Sequence, residues 1–74
     1  MNSDIVLAAL PYHKDRAMSM REIAEALGVS KSHKDRRRIE QRLARALKVL
    51  VKWNQVSYEL KWKDNHFHNI YWKI

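Results

Sequence analysis

The architecture of this chain is indicated most strongly by ten residues, Ser19-Met20-Arg21-Glu22-Ile23-Ala24-Glu25-Ala26-Leu27-Gly28. Ser19 and Glu22 have the spacing of a capping box, in which each side chain accepts a hydrogen bond from the backbone N–H of the other residue. Ile23, Ala24 and Leu27 recur on one helix face, and Gly28 stands where a left-handed residue ends a helix. The segment predicts a helix, helix two, that begins after Ser19 and ends at Leu27.

A longer helical pattern follows toward the C-terminus. Its apolar residues share one helix face: Ile39, Leu43, Ala46, Leu47, Leu50 and Val51. Asn54 comes next, and Asn tolerates the left-handed conformation that stops a helix. The pattern predicts helix three ahead of Asn54. It leaves open whether residues 32–38 lengthen this helix at its N-terminus or form a basic loop before it.

Toward the N-terminus, residues 5–10 are apolar without interruption. Ser3 or Asp4 can cap a helix there, and Pro11 ends or bends it. Because this run is apolar on every side, helix one is predicted to be short and deeply buried. Residues 12–16 are polar and predicted to form a loop or a frayed turn.

From Val56 the period of the apolar residues changes to two, which predicts two antiparallel strands. The apolar positions are Val56, Tyr58, Leu60 and Trp62 in the first strand and Ile70, Trp72 and Ile74 in the second. A two-residue turn at Asp64-Asn65 would place Leu60 opposite Asn69 and mix the two faces. A three-residue loop, Asp64-Asn65-His66, pairs Leu60 with Ile70, Tyr58 with Trp72 and Val56 with Ile74. We therefore predict the longer loop, with Trp72 buried beneath the hairpin.

That register puts three aromatic residues in distinct surroundings. His68 lies opposite Trp62 as a half-buried packing residue. Phe67 and Tyr71 lie on the polar face, where they either stack on a ligand, cover helix three or meet a partner chain.

The charge of the chain is concentrated in one stretch. Fifteen Lys and Arg residues face eight Asp and Glu residues, giving a net charge of +7. Residues 31–52 carry all of this excess, with Asp35 and Glu40 as the only acids beside Lys31, Lys34, Arg36, Arg37, Arg38, Arg42, Arg45, Lys48 and Lys52. A helix that packs by one side and offers a basic face by the other predicts a polyanionic partner, with nucleic acid first.

Length and composition restrict the remaining classes. The 74 residues fit one small domain, 1–74, and 46% hydrophobic residues suffice for a core. Without cysteine there is no disulfide framework and no thiolate metal site, which favours an intracellular protein, cytoplasmic or nucleoid-associated. The apolar run at the N-terminus is too short to span a bilayer, so no membrane association is expected.

The order of helix, helix, Gly-containing turn, basic helix and hairpin resembles the winged helix-turn-helix superfamily of DNA-binding proteins. The resemblance is carried by residues 21–30 (Arg-Glu-Ile-Ala-Glu-Ala-Leu-Gly-Val-Ser) and by Leu43, Leu47 and Leu50 ahead of Val56. It implies an α+β fold of three helices with a C-terminal two-stranded wing. Residues 32–38 are an excess over the usual spacing between the turn and the end of the recognition helix.

The resemblance also implies a set of site residues. In the family, the recognition helix enters the major groove of duplex DNA. Here Gln41 and Arg45 are the expected base readers, because the Gln amide matches adenine and the Arg fork matches guanine, with Arg37 and Arg38 nearer the N-terminal end. The residues expected on phosphates are Lys34, Arg36, Arg42, Lys48 and Lys52, and the wing is expected to offer Lys61, Lys63, Asn65 and His66.

The sequence therefore predicts a DNA-binding regulator of transcription, without catalysis or cofactor, that forms a homodimer through helix one. Other interpretations stay open: an ordinary solvated helix surface, a protein-interaction module in a replication or transcription assembly, or a binder of RNA or left-handed duplex. The pair His66 and His68 lacks a clear third metal ligand, and no catalytic grouping is evident.

Overall fold

The computed structural model describes residues 3–30 and 32–74, which form an α+β fold of three helices and a three-stranded antiparallel sheet. The predicted α+β class is confirmed. In chain order the elements are α1 (Ser3–Ala9), a 3₁₀ turn (Lys14–Arg16), β1 (Met18–Ser19), α2 (Met20–Ala26), α3 (Arg36–Lys52), β2 (Val56–Lys63) and β3 (His66–Lys73).

Both ends of α2 are formed as predicted. The Glu22 N–H donates to Ser19 Oγ at 3.3 Å, and the Ser19 N–H donates to Glu22 Oε1 at 3.2 Å, which completes the capping box. At the other end Gly28 has φ +87°, and the Val29 N–H donates to the Ala24 carbonyl at 3.0 Å. This is the Schellman arrangement that a left-handed residue permits. Local chemistry therefore fixes both helix ends.

The boundaries of α3 resolve the question of residues 32–38. The helix begins at Arg36, so residues 36–38 belong to it and residues 32–35 form the preceding turn. At its C-terminus Asn54 has φ 59°, and the Gln55 N–H donates to the Leu50 carbonyl at 2.9 Å. The predicted stop at Asn54 is confirmed.

Helix α1 is buried on one side only. Val6 is buried, as is Leu10 just after the helix, whereas Ile5 is 55% exposed and Ala8 is also exposed. The expectation of a deeply buried helix was wrong, because a domain of this size has one core and a helix at its edge contacts that core with a single face.

The third strand, β1, was not predicted. It consists of two residues, Met18 and Ser19, which pair with Tyr71 and Ile70 of β3. A strand of two residues is too short to show an alternation of apolar and polar residues in the sequence. Strand β3 therefore lies in the centre of the sheet, in the order β1-β3-β2. Within the loop predicted for residues 12–16, Lys14–Arg16 form the 3₁₀ turn.

The predicted three-residue loop of the hairpin was wrong. Asp64 and Asn65 have φ 53° and 64°, and Lys63 pairs directly with His66 across a two-residue turn. Two successive left-handed residues give a turn whose twist matches that of the strands, and Asp and Asn tolerate this conformation. Turn geometry therefore overrides hydrophobic alternation and sets the register.

This register changes the partners and the faces of the hairpin. Val56 pairs with Lys73, Tyr58 with Tyr71, Leu60 with Asn69, Trp62 with Phe67 and Lys61 with His68. His68 therefore faces Lys61 and not Trp62. Phe67 and Tyr71 share the face of Val56 and not the polar one.

Tyr71, rather than Trp72, is the buried aromatic of β3. Tyr71 is 8% exposed, while Trp72 is half-buried on the opposite face, with the Lys14 ammonium 5.8 Å from its ring centroid. Burial raises the pKa of the Tyr71 phenol above its usual 10.0, and a hydrogen bond with Asn69 partly opposes that shift.

The core joins all three helices to the sheet. Its buried members are Val6, Leu10, Ile23, Ala24, Leu43, Ala46, Leu47, Leu50, Val56 and Tyr71. Within residues 3–30 and 32–74, no helix has the length and apolar character needed to cross a membrane.

Candidate nucleic-acid interface

The side of α3 opposite the core presents a continuous row of long polar side chains, here called the cationic face. On a helix that turns about 100° per residue, these side chains fall within an arc of about 100°. All of them are exposed: Arg37, Arg38, Gln41, Arg45, Lys48 and Lys52. The structure thus brings together six of the nine residues at helix three that were predicted to contact DNA.

The other predicted residues of this region have different surroundings. Arg42 is exposed at the flank of the cationic face, and Lys34 is exposed in the turn before α3. Lys31, which belongs to the same basic stretch, lies outside the described residues. Glu40 is the one acid within α3, and it pairs with Arg36. The cationic face is therefore not neutralised by carboxylates of its own helix.

Arg36 has a structural role at the start of α3. Its side chain is only 12% exposed, and its Nε donates to Glu40 Oε1 at 2.9 Å. Its Nη1 donates to the Val29 carbonyl at 2.8 Å, and its Nη2 donates to the Arg21 carbonyl at 3.5 Å. Three of its five N–H donors therefore join the start of α3 to α2 and its turn, and the expected contact of Arg36 with phosphate stays a prediction.

We expect Arg36→Ala to lower the free energy of unfolding by about 1–3 kcal/mol, since it removes partly buried hydrogen bonds to a charged donor. The neighbouring Arg37→Ala, which changes an exposed side chain, should stay within about 0.5 kcal/mol of the native protein. Urea unfolding followed by tryptophan fluorescence measures both. Equal stability of the two variants would contradict the role assigned to Arg36.

The residues predicted for the wing are all exposed on the distal hairpin. Lys63 pairs with His66, next to the pair of Lys61 with His68, so these four side chains share one face of the sheet. Asn65 is exposed in the turn at the tip. The hairpin therefore presents a second cationic surface, separate from that of α3.

Sequence reasoning missed a feature of the opposite hairpin face. Beyond Tyr71, this face carries an apolar strip of four exposed side chains, Tyr58, Leu60, Trp62 and Phe67. The rings of Trp62 and Phe67 contact edge to face, with their centroids 4.7 Å apart. The strip could have been found from the sequence had Asp64-Asn65 been taken as the turn.

The histidines of the hairpin are close together, with the ring centroids of His66 and His68 6.2 Å apart. Across the described part of the chain, no group of three or more His, Cys, Asp or Glu residues is placed to hold a metal ion.

Comparison with known proteins finds no family model, no curated protein and no solved structure that matches this chain.

Proposed function

We propose that this protein is a winged-helix protein that binds duplex DNA in a sequence-specific manner and regulates transcription, without catalysis or cofactor. The observation that carries the proposal is the cationic face of α3, where basic side chains are exposed along the helix and its one acid is engaged by Arg36. The order of the helices and the pairing of β1 with the hairpin support the winged-helix assignment.

In this proposal, α3 enters the major groove, which is wide enough for an α-helix. Gln41 and Arg45 lie in the middle of the cationic face and read base edges, while Arg37 and Arg38 act near the N-terminal end. Four further cations contact phosphates: Lys34, Arg42, Lys48 and Lys52. Seventeen residues give α3 a length of about 25 Å, enough to follow the groove past several base pairs.

The hairpin acts as the wing. Lys61 and Lys63 supply cationic contacts to the backbone beside the major groove, His66 adds a hydrogen bond there, and Asn65 at the tip approaches the minor groove. The exposure of all four side chains supports this assignment.

Selection of bound sequences from random duplex DNA tests the proposal. We expect enrichment of a short motif, and a homodimer on a two-fold site would enrich an inverted repeat. Retention of DNA without any enriched motif would contradict sequence-specific reading.

The proposed homodimer uses helix α1. Ile5 is exposed on this helix, whereas Val6 is fully buried in the core and is no part of the contact surface. We expect a dimer in sedimentation at micromolar concentration, and Ile5→Glu should convert it to a monomer. The same change at the exposed Ile74 should leave the dimer intact. A monomeric native protein would refute this contact.

A second candidate function is favoured by the apolar strip of the hairpin. In this alternative the domain is a protein-interaction module in a replication or transcription assembly, and the exposed aromatics form the interface. Binding to duplex DNA would then be weak, so the affinity and its dependence on salt separate the two candidates.

A further inference from the structure

A groove of about 430 Å³ runs between α3 and the hairpin. Leu47 and Val51 contribute to its apolar floor, Arg45 and Lys48 line it from α3, and Tyr58 and Asn69 line it from the hairpin. None of the described residues that line this groove is acidic. An apolar floor beside two cations fits a ligand that combines a flat apolar part with negative charge.

The apolar strip continues from this groove toward the tip of the hairpin. Tyr58 lines the groove, and Leu60, Trp62 and Phe67 follow on the same face of the two strands. Four residues along a strand span about 13 Å, so Tyr58 and Trp62 are separated by roughly the length of three or four stacked bases. All four side chains of the strip are exposed, although apolar side chains of this size are usually covered.

We propose that the groove and the apolar strip bind unpaired nucleotides of DNA that adjoin the duplex held by α3. The aromatic rings provide faces on which bases stack, and Lys48 neutralises the phosphate where the unpaired strand leaves the duplex, while Arg45 stays on the duplex. The Asn69 amide supplies a donor and an acceptor for a base edge. The proposal rests on the proposed function, because α3 must bring the duplex to the groove.

Charge distinguishes this groove from a second cleft of about 580 Å³ between the distal hairpin and the start of α2. Three acids line the second cleft, Glu22, Glu40 and Asp64, and they offset its three basic residues, Arg21, Lys61 and Lys63, whereas no acid among the described residues offsets the cations of the groove. The groove beside Arg45 and Lys48 is therefore the one that suits a polyanion.

The test compares the affinity of the full chain for a blunt duplex with its affinity for the same duplex carrying a short single-stranded thymidine extension. We expect the extended duplex to bind about 5-fold tighter or more, since stacking contributes on the order of 1–3 kcal/mol per base. Trp62→Ala should remove this preference. The matched control is Trp53→Ala, at the end of α3: Trp53 is 68% exposed and Trp62 is 57% exposed, so both variants should fold.

A second readout is tryptophan fluorescence. Binding of the extended duplex should quench the tryptophan fluorescence of the native protein. The Trp62→Phe variant should lose most of this quenching but still bind the extended duplex more tightly than the blunt one, because Phe still offers a stacking face.

The outcomes separate the two proposals. If the protein binds the blunt duplex and binds the extended duplex with the same affinity, this inference is wrong and the proposed function stands. No binding of the blunt duplex overturns the proposed function. If Trp62→Ala dissociates a dimer and leaves the preference unchanged, the strip is a contact between subunits and the inference is wrong.

Discussion

Tyr71→Ala is expected to lower the free energy of unfolding by about 3–5 kcal/mol, the usual cost of removing a buried aromatic side chain. Tyr71 lies in the central strand, pairs with Met18 on one side and Tyr58 on the other, and shares the sheet face of buried Val56. A domain of this length has a total stability of about 4–11 kcal/mol, so the loss is a large share of it. Urea unfolding followed by tryptophan fluorescence measures the change.

Tyr58→Ala is the matched control. Tyr58 faces Tyr71 across the strands, with ring centroids 6.2 Å apart, yet it is 54% exposed. Its replacement should cost about 1 kcal/mol or less. A Tyr71→Ala protein as stable as the Tyr58→Ala protein would show that Tyr71 is outside the core, as the rejected three-residue loop requires.

Simultaneous replacement of Arg37, Gln41 and Arg45 by Ala is expected to weaken the binding of duplex DNA by about 3 kcal/mol or more, on the order of 100-fold. Two of the changes remove cations and the third removes a bidentate base contact. All three side chains are exposed, so the fold should be unaffected. Fluorescence anisotropy with a labelled duplex, at one fixed salt concentration, measures the affinity.

The control for this variant also replaces two Arg residues and one Gln by Ala, but at positions outside α3. Arg16, Arg21 and Gln55 are exposed and lie outside α3, and their replacement by Ala lowers the net charge by the same amount. We expect this protein to keep nearly native affinity. Equal losses in the two triple variants would mean that DNA responds to net charge and not to the cationic face.

The helices could be predicted from the sequence because their ends are determined by local chemistry. The side chains of Ser19 and Glu22 each accept a hydrogen bond from the backbone N–H of the other residue, within one turn of helix. Gly28 and Asn54 are the left-handed residues that end α2 and α3. The register of the hairpin depends instead on two turn residues, Asp64 and Asn65. Hydrophobic alternation there favoured a different register, and the conflict could not be resolved without the backbone.

The candidate site was predictable to the extent that helical periodicity defines it. The spacing of Leu43, Leu47 and Leu50 places Gln41 and Arg45 on the solvent side, as the structure has them. The role of Arg36 could not be predicted, because the Val29 carbonyl that it binds approaches α3 only in the folded chain. The apolar strip was missed for another reason, the wrong hairpin register.

The salt dependence of duplex binding tests the central claim, that the cationic face of α3 contacts DNA phosphates. The logarithm of the affinity should fall linearly with the logarithm of the salt concentration, and each phosphate contact contributes about 0.9 to the slope. The double variant Lys48→Ala, Lys52→Ala should lower the slope by about two units. Its charge-matched control, Arg16→Ala with Arg21→Ala, should leave the slope unchanged. The same slope for native protein and both variants, or equal changes in the two variants, would contradict the claim.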